Sequence, residues 1–144
     1  MLTISYPAIL RPDRAGRPVV SFPDFPEAHT DGKDRAEAMV EAQDCLGSAL
    51  AFRLADKAEV PCPSNAKRGQ CMVPVPIWIA PKVALYWAMK ERGVNNSEMA
   101  RKLNVRETVI RRMLDPDHAT KTEKIQAALE ALGKRFLVAV EDAA

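Results

Sequence analysis

Histidine and cysteine are scarce in this 144-residue sequence, with two and three copies. Cys45, Cys62 and Cys71 are odd in number and irregularly spaced, which argues against a disulfide framework. A zinc site would need a fourth ligand and a close pair of cysteines, and neither His29 nor His118 lies near one in sequence. No metal or other cofactor is therefore expected. With so few histidines and no nucleophile elbow, a Ser/His/Asp hydrolase is not expected either. No apolar run approaches the roughly 20 residues needed to span a bilayer. The N-terminal stretch MLTISYPAILRPDR also lacks the charged-then-apolar layout of a signal segment, so a cytoplasmic protein is expected.

What is present is the composition of a globular protein, 47% hydrophobic and 28% charged, long enough for one domain or two small ones. The net charge of +2 conceals an asymmetry. Residues 1–76 carry 9 basic and 10 acidic side chains, whereas residues 77–144 carry 12 and 9. Such a division suggests two modules with different partners.

The front reads as β-β-α. LTISYPAIL and RPVVSF are strand-like, and Asp13–Gly16 between them makes a hairpin turn. Pro18, Pro23 and Pro26 point to strand ends or edges. Thr30-Asp31-Gly32 is a tight turn, after which Asp34 and Glu37 form a capping-box-like helix start. Ala36, Met39, Val40, Gln43, Leu46, Ala49 and Leu50 recur at three- and four-residue steps, predicting one buried stripe. VPCPSNAKRG is a loop, and QCMVPVPIWI an edge strand or extended connector. We place the boundary near Pro76–Ala80, giving domains 1–76 and 77–144.

The back reads as four helices and a strand. Pro81 suits a first helical turn and Gly93 a stop. Two short helices follow, then one from Thr122 to Gly133, and RFLVAV closes the chain as a short strand. Five basic residues against one acid lie between Arg101 and Arg112. Ser97 is placed to cap the first short helix, whose inner face is Met99, Ala100 and Leu103. Asn104 falls where a sharp turn needs left-handed backbone, and Val105 is expected to plug the angle. The second helix should bury Val109, Ile110, Met113 and Leu114 and end before Pro116.

This order of apolar and small residues resembles a helix-turn-helix, with Asn104 in place of the more usual glycine. Arg106, Thr108, Arg111 and Arg112 then face outward, and Arg101 and Lys102 lie near the turn. Such a helix enters the major groove of operator DNA, with arginines reaching guanine edges or phosphates. Ser97 and Thr122, at helix starts, are candidates to donate to phosphate. Glu107 either accepts from a cytosine amino group or pairs with a neighbouring arginine.

A wider resemblance covers nearly the whole chain. Y6-P-A, V19-V-S-F-P-D-F-P-E27, T30-D-G, V60-P-C-P-S64, P81-K-V-A-L-Y-W-A-M-K and A127-A-L-E-A-L-G133 are similar to HicB antitoxins. That resemblance implies an α+β protein: a partial RNase H-like front module, without catalytic activity, and a helix-turn-helix domain behind it. It also implies a HicA-type RNA-cleaving toxin as partner and repression of its own operon by binding double-stranded operator DNA. On the front module Asp24, Phe25 and Glu27 are the candidate toxin contacts, although Phe25 between two prolines could equally pack inward. One helix-turn-helix reads few base pairs, so a homo-oligomer, dimer or tetramer, is expected, with RFLVAV as a candidate cross-chain strand. A ligand-responsive repressor is the alternative, and a metal-dependent nuclease a further one.

Overall fold

The computed structural model describes residues 2–143. Among these, four strands and five helices follow in the order β1 (Ser5–Pro12), β2 (Pro18–Phe22), β3 (Phe25–Asp31), α1 (Arg35–Ala55), β4 (Cys71–Pro74), α2 (Ala80–Arg92), α3 (Asn96–Leu103), α4 (Glu107–Leu114) and α5 (Thr122–Ala131). The strands form one antiparallel sheet in the order β3-β2-β1-β4.

The prolines are accommodated by how the sheet is paired. β1 pairs through Ser5–Ala8 with β4 and through Ile9–Pro12 with β2, so Pro7 and Pro12 each need only one satisfied side. β3 was not expected. Its start, P-D-F-P-E, reads as a turn, but β3 is the sheet's edge, where the missing N–H of Pro26 costs no ladder bond. A register shift between Ser21 and Phe22 absorbs the tight connection between β2 and β3.

α1 starts where the capping box puts it. The Asp34 side chain accepts from the Glu37 N–H at 2.9 Å, and the Glu37 carboxylate accepts from the Lys33 N–H. The buried stripe is rotated from the expected one: Ala38, Ala42, Leu46 and Leu50 face the sheet, whereas Ala36 and Val40 are exposed. Small residues at 38 and 42 let the helix axis approach the sheet, and the larger Val40 is left outside. Apolar residues lie nearly all round this helix, so spacing alone could not single out the inner face.

Two apolar clusters hold the chain together. The first is built between sheet and α1 and includes Tyr6, Phe22, Phe25, Leu46 and Leu50. The second includes Leu85, Met99, Ala100, Ile110, Met113, Ile125 and Leu129. α2 serves both: Val83 and Trp87, with the N-cap Ile79, join the first, and Leu85, Ala88 and Met89 the second. Gly93 ends α2 in the left-handed conformation, φ 64°.

The closing segment differs from expectation. Residues 134–143 form no strand, and Leu137, Val138 and Val140 are exposed. Phe136 packs against the second cluster, and Lys134 pairs with Glu91 at 2.7 Å. Among the described residues the cluster beside it is built from helices, so no strand edge lies there for a ladder.

Candidate functional site

The two short helices α3 and α4 are joined by the turn Asn104–Arg106. Asn104 adopts φ 54°, ψ 47°, the left-handed conformation its position demands. The N–H groups of Asn104 and Val105 return to carbonyls of Arg101 and Ala100, which closes α3 tightly. Met99, Ala100, Ile110 and Met113 are buried between the helices, with Leu103, Val109 and Leu114 packed beside them. Val105 is 37% exposed and does not fill the angle. The left-handed turn carries its side chain to the rim, and Met99 and Ile110 occupy the interior instead.

Ser97 is not the cap. Asn95 takes that place, its side chain accepting from the Glu98 N–H at 2.8 Å, because asparagine caps as well as serine and stands one turn-start earlier. Ser97 lies in the first turn of α3, and its hydroxyl donates to Glu107 Oε2 at 3.5 Å. Glu107 in turn accepts from Arg111, from Nη2 at 2.9 Å and Nε at 3.1 Å, the i,i+4 arrangement of a helix surface. Ser97, Glu107 and Arg111 thus form one chain of contacts across both helices.

The remaining basic candidates stand free of acids. Arg101, Lys102, Arg106 and Arg112 are exposed, and among the described residues no carboxylate pairs with their side chains. Thr108 is exposed on the first turn of α4. Thr122 begins α5 but makes no side-chain cap, and no hydrogen bond among the described residues links it to α3 or α4.

A residue that spacing gave no sign of positions α4. Lys82, only 4% exposed, sends its ammonium from the first turn of α2 to the carbonyls of Arg112 and Met113 and to Thr120 Oγ1, at 3.1, 3.2 and 3.2 Å. A cation at a helix C-terminus satisfies orphan carbonyls and complements the dipole. Burial lowers its pKa, opposed by the nearby Asp115 carboxylate. Thr120 Oγ1 itself donates to the Arg112 carbonyl and meets His118 Nδ1 at 2.8 Å. In sequence a lysine beside Pro81 looks like any solvated side chain, so no signal could have found it.

Of the front candidates Phe25 turns inward, whereas Asp24 is half-buried and Glu27 exposed, each engaged by another side chain. Phe25 is fully buried, edge-on to Tyr6 at 4.8 Å between centroids, and the Arg53 guanidinium covers its ring at 4.8 Å. It is therefore core rather than an exposed anchor, because the β3 pleat turns it toward α1. Glu27 holds Arg53 in a forked pair at 2.7 and 3.0 Å, and its carboxyl is pulled below the ordinary range by those hydrogen bonds. Asp24 Oδ2 accepts from both the N–H and the hydroxyl of Ser64, at 3.0 and 3.1 Å. The Tyr6 hydroxyl donates to the Pro61 carbonyl, and Trp87 Nε1 donates to the Val60 carbonyl at 3.1 Å. The segments P-D-F-P-E and V-P-C-P-S, far apart in sequence, are thereby fastened to one another and to α2.

Among the described residues, no group of three or more His, Cys, Asp or Glu side chains is gathered to hold a metal ion. No helix among them is long and apolar enough to cross a membrane.

Comparison with known proteins gives consistent matches. The family description "HicB_like antitoxin of bacterial toxin-antitoxin system" matches residues 5–84. Antitoxin HicB 2 of Photorhabdus laumondii subsp. laumondii is 43% identical over 136 residues, covering 94% of this chain and 96% of that protein. Antitoxin HicB of Escherichia coli K12 is 38% identical over 131 residues, covering 91% and 95%. Antitoxin HicB of Pseudomonas fluorescens is 32% identical over 125 residues, covering 86% of each.

Proposed function

Because this chain belongs to the HicB-like antitoxin family of bacterial toxin–antitoxin systems, we propose that it neutralises a HicA-type RNA-cleaving toxin and represses its own operon by binding operator DNA. It acts by binding, not by catalysis. The front module, with a sheet backed by α1 in the manner of a partial RNase H-like fold, takes the toxin. The α3–α4 pair is a helix-turn-helix that takes the DNA.

The observation that carries the DNA half is the combination on α3 and α4 of a left-handed turn at Asn104, a sealed inner face and a free basic outer one. α4 enters the major groove, with Arg106, Thr108 and Arg112 directed at bases and phosphates. Arg111 reaches DNA only by leaving Glu107, an exchange that costs little at an exposed pair. Arg101, Lys102, Ser97 and Thr122 contact the flanking backbone. Useful specificity needs at least a dimer on a two-fold operator, and the exposed Leu137, Val138 and Val140 supply apolar surface for joining copies.

Neither competing reading gains support from a particular contact. A metal nuclease requires converging carboxylates, and in the front module Asp24, Glu27, Asp31 and Glu37 are each committed to other partners. The experiment that tests the proposal is a gel shift with the chain's own promoter at two salt concentrations, beside co-purification with the protein of the adjacent short reading frame. A specific, salt-sensitive shift and a stable complex are expected. Failure of both would reject the reading.

A further inference from the structure

The turn between β4 and α2 places two large apolar side chains where polar ones usually stand. Pro76 accepts from the N–H groups of Ile79 and Ala80, which fixes Ile77 and Trp78 at the turn's apex. Ile77 is 85% exposed and Trp78 54%. This is not a loose loop. A Cβ on Gly47 of α1 would lie 2.8 Å from Pro76 Cγ and 3.1 Å from Trp78 Cζ2, so the turn rests directly on the helix. Gln43 holds the same connector by donating to the Pro74 carbonyl at 3.2 Å. The apolar pair is thus presented on a rigid support, which lowers the entropy lost when a partner covers it.

The neighbouring surface of α1 determines what that partner is. Val40 lies seven residues before Gly47, on the same side of the helix, and is exposed. Beside it Glu37, Glu41 and Asp44 follow at four- and three-residue steps along one outward face. Lys33 pairs with Glu37 at 3.5 Å, but no lysine or arginine occurs between Arg35 and Arg53 to neutralise Glu41 and Asp44. Aromatic and aliphatic anchors beside a row of one-sign charges make the pattern of a protein-binding surface. Its charge fits a basic partner.

We infer that the Ile77–Trp78 turn together with the Val40, Glu41 and Asp44 face of α1 is the docking surface for the basic, RNA-binding toxin. The inference rests on the antitoxin reading above and replaces Asp24, Phe25 and Glu27 as the contact set. Trp78 and Ile77 enter an apolar pocket or ridge of the toxin. The α1 carboxylates pair with the lysines or arginines by which that protein would otherwise hold RNA phosphates. Bound there, the toxin loses its substrate-binding charge.

The test uses the full chain and the purified toxin from the adjacent reading frame, by calorimetry at two salt concentrations. Two variants are compared, Ile77→Ser with Trp78→Ser, and Glu41→Lys with Asp44→Lys. Each should weaken toxin binding by about 30-fold or more, the level of an interface hot spot. The charge-reversed variant should also show a flatter salt dependence. Operator affinity should be unchanged in both. Toxin affinity equal to wild type in the two variants overturns the inference while leaving the antitoxin reading intact. A wild-type chain that does not bind the toxin overturns both. If the serine variant loses self-association but keeps its toxin affinity, the turn joins copies of this chain and the inference fails. Should the serine variant not fold, the lysine variant decides, since Glu41 and Asp44 are exposed and, among the described residues, no ion pair engages their side chains.

Discussion

Lys82 Nζ donates to the carbonyl of Arg112 at 3.1 Å, tying the first turn of α2 to the last turn of α4. The orientation of the basic face therefore depends on a cation that is itself buried. Replacing Lys82 by Met keeps the volume but removes the ammonium from two carbonyls and a hydroxyl, of which the Arg112 carbonyl keeps the Thr120 hydroxyl as donor. Loss of about 1–3 kcal/mol in urea unfolding is expected, with faster amide exchange in the last turn of α4. Unchanged exchange there would show that the clamp does not hold the helix.

Arg111 and Arg112 are adjacent but not equivalent. Arg111 is engaged by Glu107, whereas among the described residues the Arg112 side chain has no acidic partner. Arg112→Ala should weaken operator binding by ~1–3 kcal/mol and flatten the salt slope by about one unit. Its effect on stability should stay within about 0.5 kcal/mol. Arg111→Ala should cost less affinity than Arg112→Ala. Equal affinity of Arg112→Ala and wild type would mean that α4 is not the reading helix.

Gly47 sets two effects against each other. Alanine in a helix interior gains up to about 1 kcal/mol over glycine. The new methyl would nevertheless meet the buried Pro76 ring at 2.8 Å, and that ring cannot rotate away. Overpacking of this kind costs about 1–3 kcal/mol, so Gly47→Ala should be net destabilising in chemical denaturation. A more stable variant would show that the connector is loosely seated.

Glu27 links stability to pH. Hydrogen bonds from Arg53 hold its carboxyl below the ordinary value. The pair therefore stabilises the fold above the unfolded glutamate pKa of about 4.3. That contribution fades as pH falls through the lower folded value. Glu27 is partly exposed, so the effect is modest, of order 0.5 kcal/mol at neutral pH. Glu27→Gln should be less stable than wild type at pH 7 and converge on it at pH 3. A constant difference across that range would assign the effect to packing instead.

Local chemistry made much of this structure legible before any coordinates. Asn104 in the left-handed region, Gly93 at the end of α2 and the Asp34–Glu37 box each depend on neighbours within a few residues, and so can be read from the chain. β3 was missed because only its edge position makes Pro26 acceptable, and sheet order is a long-range property. The inner face of α1 was read only in part: Leu46 and Leu50 meet the sheet as expected, but its first half is carried by the small Ala38 and Ala42, which spacing does not single out. The surroundings of the front candidates were out of reach for a related reason. Asp24 finds Ser64 forty residues away and Glu27 finds Arg53 twenty-six away, distances at which charge counting has no reach.

The segment after Gly133 carries the assembly expectation. Without a strand of its own, it leaves Leu137, Val138 and Val140 in water. A chain ending at Gly133 should be a smaller oligomer by light scattering and bind operator more weakly. Identical mass and affinity would place the interface elsewhere.

Neutralisation is measured most directly with three components: a labelled RNA, the protein of the adjacent short reading frame, and this chain. The protein alone should cleave the RNA. Full-length chain added at equimolar ratio should stop cleavage, and the Arg112→Ala variant should stop it equally well, because the face proposed to read DNA is not needed for it. Cleavage that continues under an excess of folded chain would contradict the antitoxin function itself.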